Sequence, residues 1–156
     1  MKNLGGRCLF LLAAVCLSNV SFADSSIKVE SLSEAAVLSK QKDIPILLYF
    51  YDNDCENCES VNEEFIKPMI NSGDYINKTV IYYVNMEQVT INSFNREQIS
   101  MEDFSNHYNI ELLPTAAFVD AKGNKLEEII SGVSNLEYYG SLLDEALELS
   151  LKRMRK

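Results

Sequence analysis

The chain has 156 residues, 47% of them hydrophobic, which suits one compact domain and is too little for two. Its 14 basic residues stand against 23 acidic ones, a formal charge of −9, so the surface should repel nucleic acid and anionic membranes and keep the domain soluble.

Residues 1–23 read as an export signal. Lys2 and Arg7 supply a short positive region, Leu9 to Leu17 an apolar run, and Ser21-Phe22-Ala23 the small residues a signal peptidase reads, with cleavage expected after Ala23. The apolar run is too short for a membrane anchor, which needs about 20 residues. A lipoprotein signal at Cys16 is disfavoured because Val15 is bulkier than such signals use. Cleavage would remove Cys8 and Cys16 and two of the basic residues, leaving Cys55 and Cys58 as the only cysteines and 12 basic against 23 acidic residues, a net of −11. An exported chain with one closely spaced cysteine pair has no disulfide framework to hold it together.

The predicted elements alternate. Ile27 to Leu32 reads as a short strand and Ser33 to Lys42 as a helix capped by Ser33. Ile44 to Tyr51 is a continuous apolar and aromatic run of the kind found in a strand covered on both faces. After the cysteines, Val61, Phe65 and Met69 recur at helical spacing, and Pro68 should kink or end that helix. Thr79 to Met86 reads as a second central strand. Residues 87–101 are polar, with Gln88 to Ser100 rich in Asn and Gln, and read as an insertion loop that either recognises a partner or is merely tolerated. Then follow a short helix from Glu102 to Tyr108, a strand from Ala116 to Asp120, a turn through Gly123, and a hairpin partner from Leu126 to Ile130. Ser134 to Glu137 has capping-box spacing and opens a last helix carrying Leu136, Leu143, Leu147 and Leu151, with a basic end at Lys152 to Lys156 that suits the helix dipole. This alternation predicts an α/β fold with a mixed sheet flanked by helices on both faces, over residues 24–156.

Cys55 and Cys58 fall where the central strand hands over to a helix. A thiolate there meets unpaired N–H groups and the positive end of the helix dipole, which lower a cysteine pKa. One helical turn brings both sulfurs within bonding reach, so Cys55 can attack a substrate disulfide and the more buried Cys58 can resolve the mixed disulfide. Two other readings compete: an inert structural pair, and a metal site. Structural zinc wants four ligands, and beyond the two cysteines the exported chain offers one histidine, His107, which reads as an ordinary helix residue. Copper(I) accepts two thiolates. Tyr49, Tyr51, Tyr82 and Tyr83 read as sheet packing.

The apolar strand, Cys55-Glu56-Asn57-Cys58, the helix carrying Pro68, and the run Asn109 to Gly132 together resemble the thioredoxin superfamily from Ile44 to about Leu149. The exported context and the long polar segment are similar to SoxW-like periplasmic thioredoxins. The resemblance implies a thioredoxin fold and a thiol-disulfide oxidoreductase whose redox centre is the Cys55–Cys58 pair, with no other cofactor. It also implies a cis peptide at Leu113-Pro114 against the cysteines, and a substrate-binding segment Leu113-Pro114-Thr115. Protein thiols and disulfides would be the substrates, and a membrane thiol carrier the source of electrons, because the periplasm has no reducing buffer.

The sequence departs from common thioredoxins near the cysteines. Asp54 stands where they have tryptophan, and Glu56-Asn57 where they have Gly-Pro. Tyr49 occupies the place of their buried acid, so proton transfer at Cys58 falls to water, the Tyr49 hydroxyl, or a carboxylate such as Glu59 or Glu63. Asp52, Asp54, Glu56 and Glu59 oppose a thiolate with a strength comparable to the dipole's support, about 0.3–1 kcal/mol. The expected Cys55 pKa is therefore nearer 7 or above than the about 3.5 of a strong oxidant, which makes the dithiol a reductant. An oxidase or isomerase, and a non-enzymatic binding or copper-handling module, are the alternatives.

Overall fold

The computed structural model describes residues 27–156. The expected export signal, with Cys8 and Cys16, lies outside the described residues. The elements run α1 (Leu32–Lys42), β1 (Ile46–Tyr51), α2 (Glu56–Val61), a π turn (Asn62–Ile66), α3 (Lys67–Ser72), β2 (Val80–Asn85), β3 (Thr90–Asn92), β4 (Gln98–Ser100), α4 (Met101–Tyr108), β5 (Thr115–Val119), β6 (Ile130–Ser131) and α5 (Leu136–Met154). One mixed sheet has the order β2-β1-β5-β6, with β1 and β2 parallel and the other pairs antiparallel, while β3 and β4 form a separate hairpin.

β1 occupies the centre because both of its faces are apolar. Ile46 through Phe50 are all within 1% of full burial. Side chains alternate along a strand, so Tyr49 and Phe50 point to opposite faces. On one face Phe50 packs against Phe104 and Tyr108 of α4, with ring centroids 6.0 and 5.8 Å apart. On the other, the Tyr49 hydroxyl reaches α2, and Phe65 of the π turn lies 5.8 Å from Tyr139 of α5. Small residues on β5 make room for the large ones: Ala116 pairs with Tyr49 and Ala117 with Leu48. Each fully buried side chain of this size contributes about 1.5–3 kcal/mol. Two buried hydroxyls tie the entry to β1, Ser39 donating to the Ile44 carbonyl at 2.7 Å and Thr79 to that of Pro45 at 3.1 Å.

Several elements differ from the sequence reading. In place of a strand over Ile27 to Leu32, the chain makes one parallel bridge between Lys28 and Ile81. It leaves the sheet there because Ser31, not Ser33, caps α1, its hydroxyl accepting from the Glu34 N–H at 3.2 Å. Pro68 neither ends nor replaces the helix. The turn before it widens into a π turn, in which the Lys67 N–H bonds back to Asn62, so the helical path continues to Ser72 and stops at Gly73, whose φ is +79°. Proline lacks an N–H and its ring crowds the carbonyl four residues back; a one-residue bulge relieves both.

Residues 87–101, read as a loop, contain the β3–β4 hairpin. Only Ile91 of β3 is buried, so its alternation spans three residues and is too short to read as a pattern. The partner expected over Leu126 to Ile130 shortens to Ile130–Ser131, since Leu126 bonds Phe118 while Glu127 turns to Arg153 at 2.8 Å. Asn135 rather than Ser134 caps α5, accepting from the Glu137 N–H at 2.9 Å.

Candidate active site

The cysteine pair sits at the carboxyl end of β1, the edge of the sheet where backbone groups run free into a helix. Cys55 keeps an extended backbone and caps α2: its carbonyl accepts from the N–H groups of Cys58 at 3.0 Å and Glu59 at 3.1 Å. The Cys55 sulfur also accepts from the Cys58 N–H at 3.1 Å. This single turn sets the two Cα atoms 5.2 Å apart, within the range a disulfide requires, and the sulfurs are bonded. Cys58 is buried at 3% exposure, whereas Cys55 is half-buried. If reduction keeps this turn, the Cys58 N–H would favour a Cys55 thiolate, and the exposed Asp54 and Glu56 on either side would oppose it.

Beneath the pair, the Tyr49 hydroxyl donates to the Cys58 carbonyl oxygen at 2.7 Å. Burial, then the neighbouring Tyr139 and Tyr83, push its ionisation far above the usual tyrosine range. Tyr49 therefore holds the backbone of Cys58 and keeps its proton. Tyr83 stands edge-on to it at 5.6 Å and donates to Asn62 Oδ1 at 2.6 Å. Sequence reasoning missed Asn62; its one signal is helical spacing, four residues after Cys58 and on the same face. The four tyrosines read as sheet packing do pack, but they also line a cleft of about 690 Å³ that includes both cysteines, Glu59 and Glu63.

The Leu113–Pro114 peptide is cis. In the β1–β5 pairing Thr115 stands opposite Phe50, so this segment enters the sheet at the end where β1 leaves for the cysteines. Leu113 is half-buried and Pro114 buried, its carbonyl accepting from the Gly132 N–H at 2.8 Å. Thr115 is fully buried, and its hydroxyl donates to the Leu112 carbonyl at 2.6 Å, which shapes the loop. His107 lies exposed on α4 with its ring edge-on to Tyr108. Among the described residues no three His, Cys, Asp or Glu side chains are grouped to hold a metal ion, and no helix is long and apolar enough to cross a membrane.

A closed disulfide between residues one helical turn apart, at the head of a helix on a mixed sheet, defines a thiol-disulfide oxidoreductase of thioredoxin type. The chain belongs to the Thioredoxin-like domain family, which matches residues 32–147. Among solved structures, it is similar to an uncharacterised thioredoxin-like protein from Clostridium perfringens, with 22% identity, TM-score 0.50, and coverage of 86% of this chain and 91% of that one. A structure described as DsbH oxidoreductase is 20% identical, with TM-score 0.55 and coverage of 93% and 96%. The oxidised C-terminal domain of DsbD from Neisseria meningitidis is 13% identical, with TM-score 0.51 and coverage of 73% and 90%. At these identities the likenesses show the fold. No curated protein matches the sequence.

Proposed function

We propose that the protein is an exported, periplasmic reductant of protein disulfides that works through Cys55 and Cys58. The observation that carries this reading is the graded exposure of the pair, with Cys55 half-buried at the helix cap and Cys58 buried behind it. The Cys55 thiolate attacks one sulfur of a substrate disulfide, forming a mixed disulfide and releasing the other sulfur as a thiolate. Cys58 then loses its proton to solvent and attacks Cys55, which re-forms the Cys55–Cys58 bond and releases the second substrate thiol. Two electrons pass to the substrate, and a dithiol carrier at the membrane restores the pair. Leu113 and Pro114 offer backbone to the extended substrate at the same end of the sheet, and Thr115 sets that loop's shape.

The acidic surroundings support the reductive direction. Asp54 and Glu56 flank Cys55 and no basic residue lies between Phe50 and Ile66, so its thiolate is less favoured than in a strong oxidant. The structurally similar protein described as DsbH oxidoreductase is in keeping with this chemistry. Export rests on the leader sequence.

The test is reduction of a protein disulfide by the pre-reduced protein. Activity should vanish in Cys55→Ser, and Cys58→Ser should accumulate a mixed disulfide with its substrate. Undiminished activity in Cys55→Ser overturns the enzyme reading, and a potential near about −120 mV overturns the direction. A mature chain beginning at Asp24 in the periplasmic fraction checks export.

A further inference from the structure

The cleft beside the disulfide has a chemistry of its own. Tyr49, Tyr51 and Tyr83 share one face of the sheet, because Tyr49 pairs with Tyr83 in register and alternate residues point the same way. Tyr83 stands edge-on to both other rings, at 5.6 and 5.9 Å. Hydrogen bonds to the Cys58 carbonyl and to Asn62 fix the hydroxyls of Tyr49 and Tyr83, so these rings cannot turn away. One of them already holds a cation: Lys28 Nζ lies 5.3 Å from the Tyr83 ring centroid.

Four carboxylates, Glu30, Asp52, Glu59 and Glu63, line the same cleft. Glu30 is paired with Lys28 at 3.6 Å, and Glu63 with Lys67. Among the described residues neither Asp52 nor Glu59 has an ion-pair partner, and Oδ1 of Asp52 is buried without a hydrogen bond. The cleft thus joins aromatic rings to two uncompensated carboxylates, one of them with a buried oxygen still lacking a donor. A cation satisfies both features at once, whereas an anion is repelled.

We propose that this cleft selects the substrate by charge, taking disulfides whose cysteine is flanked by lysine or arginine and seating that cationic side chain against Tyr51 and Tyr83, beside Asp52 and Glu59. The inference rests on the oxidoreductase reading above and names its substrate class.

Two synthetic peptide disulfides, identical except for lysine or glutamate flanks, test it at low ionic strength. The expected kcat/KM favours the lysine peptide by about tenfold, and Glu59→Gln and Tyr51→Leu each cut that preference about threefold or more. Glu145→Gln on α5 makes the same change in net charge away from the cleft and should leave the preference intact. A preference near one, or one that falls equally in Glu59→Gln and Glu145→Gln, overturns the inference. Binding of a cysteine-free lysine peptide to the oxidised protein, weakened in Glu59→Gln and Tyr51→Leu, reads the cleft without redox chemistry. Intact binding with no disulfide reduction overturns the oxidoreductase reading and the substrate class with it, while leaving the cation cleft standing; reduction without binding overturns the cleft alone.

Discussion

The Tyr49 hydroxyl donates to the Cys58 carbonyl oxygen at 2.7 Å, joining the central strand to the first turn of the redox helix. Where common thioredoxins carry an acid, this protein carries a buried donor aimed at backbone. Tyr49→Phe removes the donor and leaves that carbonyl without its partner, at a cost of about 1–3 kcal/mol. Urea unfolding of the oxidised protein should show the loss. The pH profile of thiol reactivity should be unchanged, because Tyr49 keeps its proton throughout the neutral range; a shifted profile would instead give Tyr49 a part in proton transfer.

Reactivity should divide between the two thiols. In the disulfide-bonded structure Cys55 lies half-buried and Cys58 at 3% exposure, and this grading should persist in the reduced protein. Brief alkylation at neutral pH, followed by peptide mapping, should label Cys55 at least about tenfold over Cys58, since thiol reactivity needs both access and thiolate. Equal labelling would place the attacking role in doubt.

Stability should fall in alkali. Burial raises the pKa of Tyr83 to about 12, followed in size by the Tyr51 and Glu63 fields, and burial likewise raises Tyr49, Tyr82, Tyr108 and Tyr139. The folded state favours the neutral phenol, so this stabilisation is fully present below the unfolded value of about 10 and is lost as pH rises through the folded values. Unfolding free energy should therefore decline from about pH 10 to 12. Tyrosinate absorbance should reach its full height only with the loss of helical circular dichroism; complete ionisation of all eight tyrosines with the fold intact would contradict the burial.

Gly140 should resist replacement. Inside a helix, Gly→Ala normally stabilises by about 1 kcal/mol. Here an added Cβ would lie 2.7 Å from Cε1 and 2.9 Å from Cδ1 of Phe65. That ring is packed on Tyr139, so Gly140→Ala should lower stability by about 1–3 kcal/mol, as overpacking does. In a Phe65→Ala background the same change should become neutral or stabilising, a double-mutant comparison that isolates the contact.

Much of the architecture was legible because its signals are local. The run from Ile44 to Tyr51 is apolar at every position, which marks a strand buried on both faces wherever it lies. Ser100, read only as the end of a loop, proved to cap α4 through the Asp103 N–H at 3.0 Å, a spacing already present in the sequence. The hairpin in residues 87–101 was not legible. Val89, Thr90 and Ile91 are β-branched, but three such residues among polar neighbours are too short a run to mark a strand, and the pairing of β3 with β4 depends on a partner that the local pattern does not announce.

The sequence by itself determined the chemistry: two cysteines one helical turn apart after a buried strand, a Leu-Pro-Thr segment, and the acids around Cys55. These are short-range facts of residue type and spacing. Only the tertiary structure decided what surrounds that chemistry. It turned the Tyr49 hydroxyl onto Cys58, widened the helix into a π turn ahead of Pro68, and placed Glu30, Asp52, Glu59 and Tyr83 around one cleft. Those residues lie on separate segments, and the parallel register of β1 and β2 is what brings the segments together. Register is set by the buried faces of strands far apart in the chain, so no local pattern could reveal it.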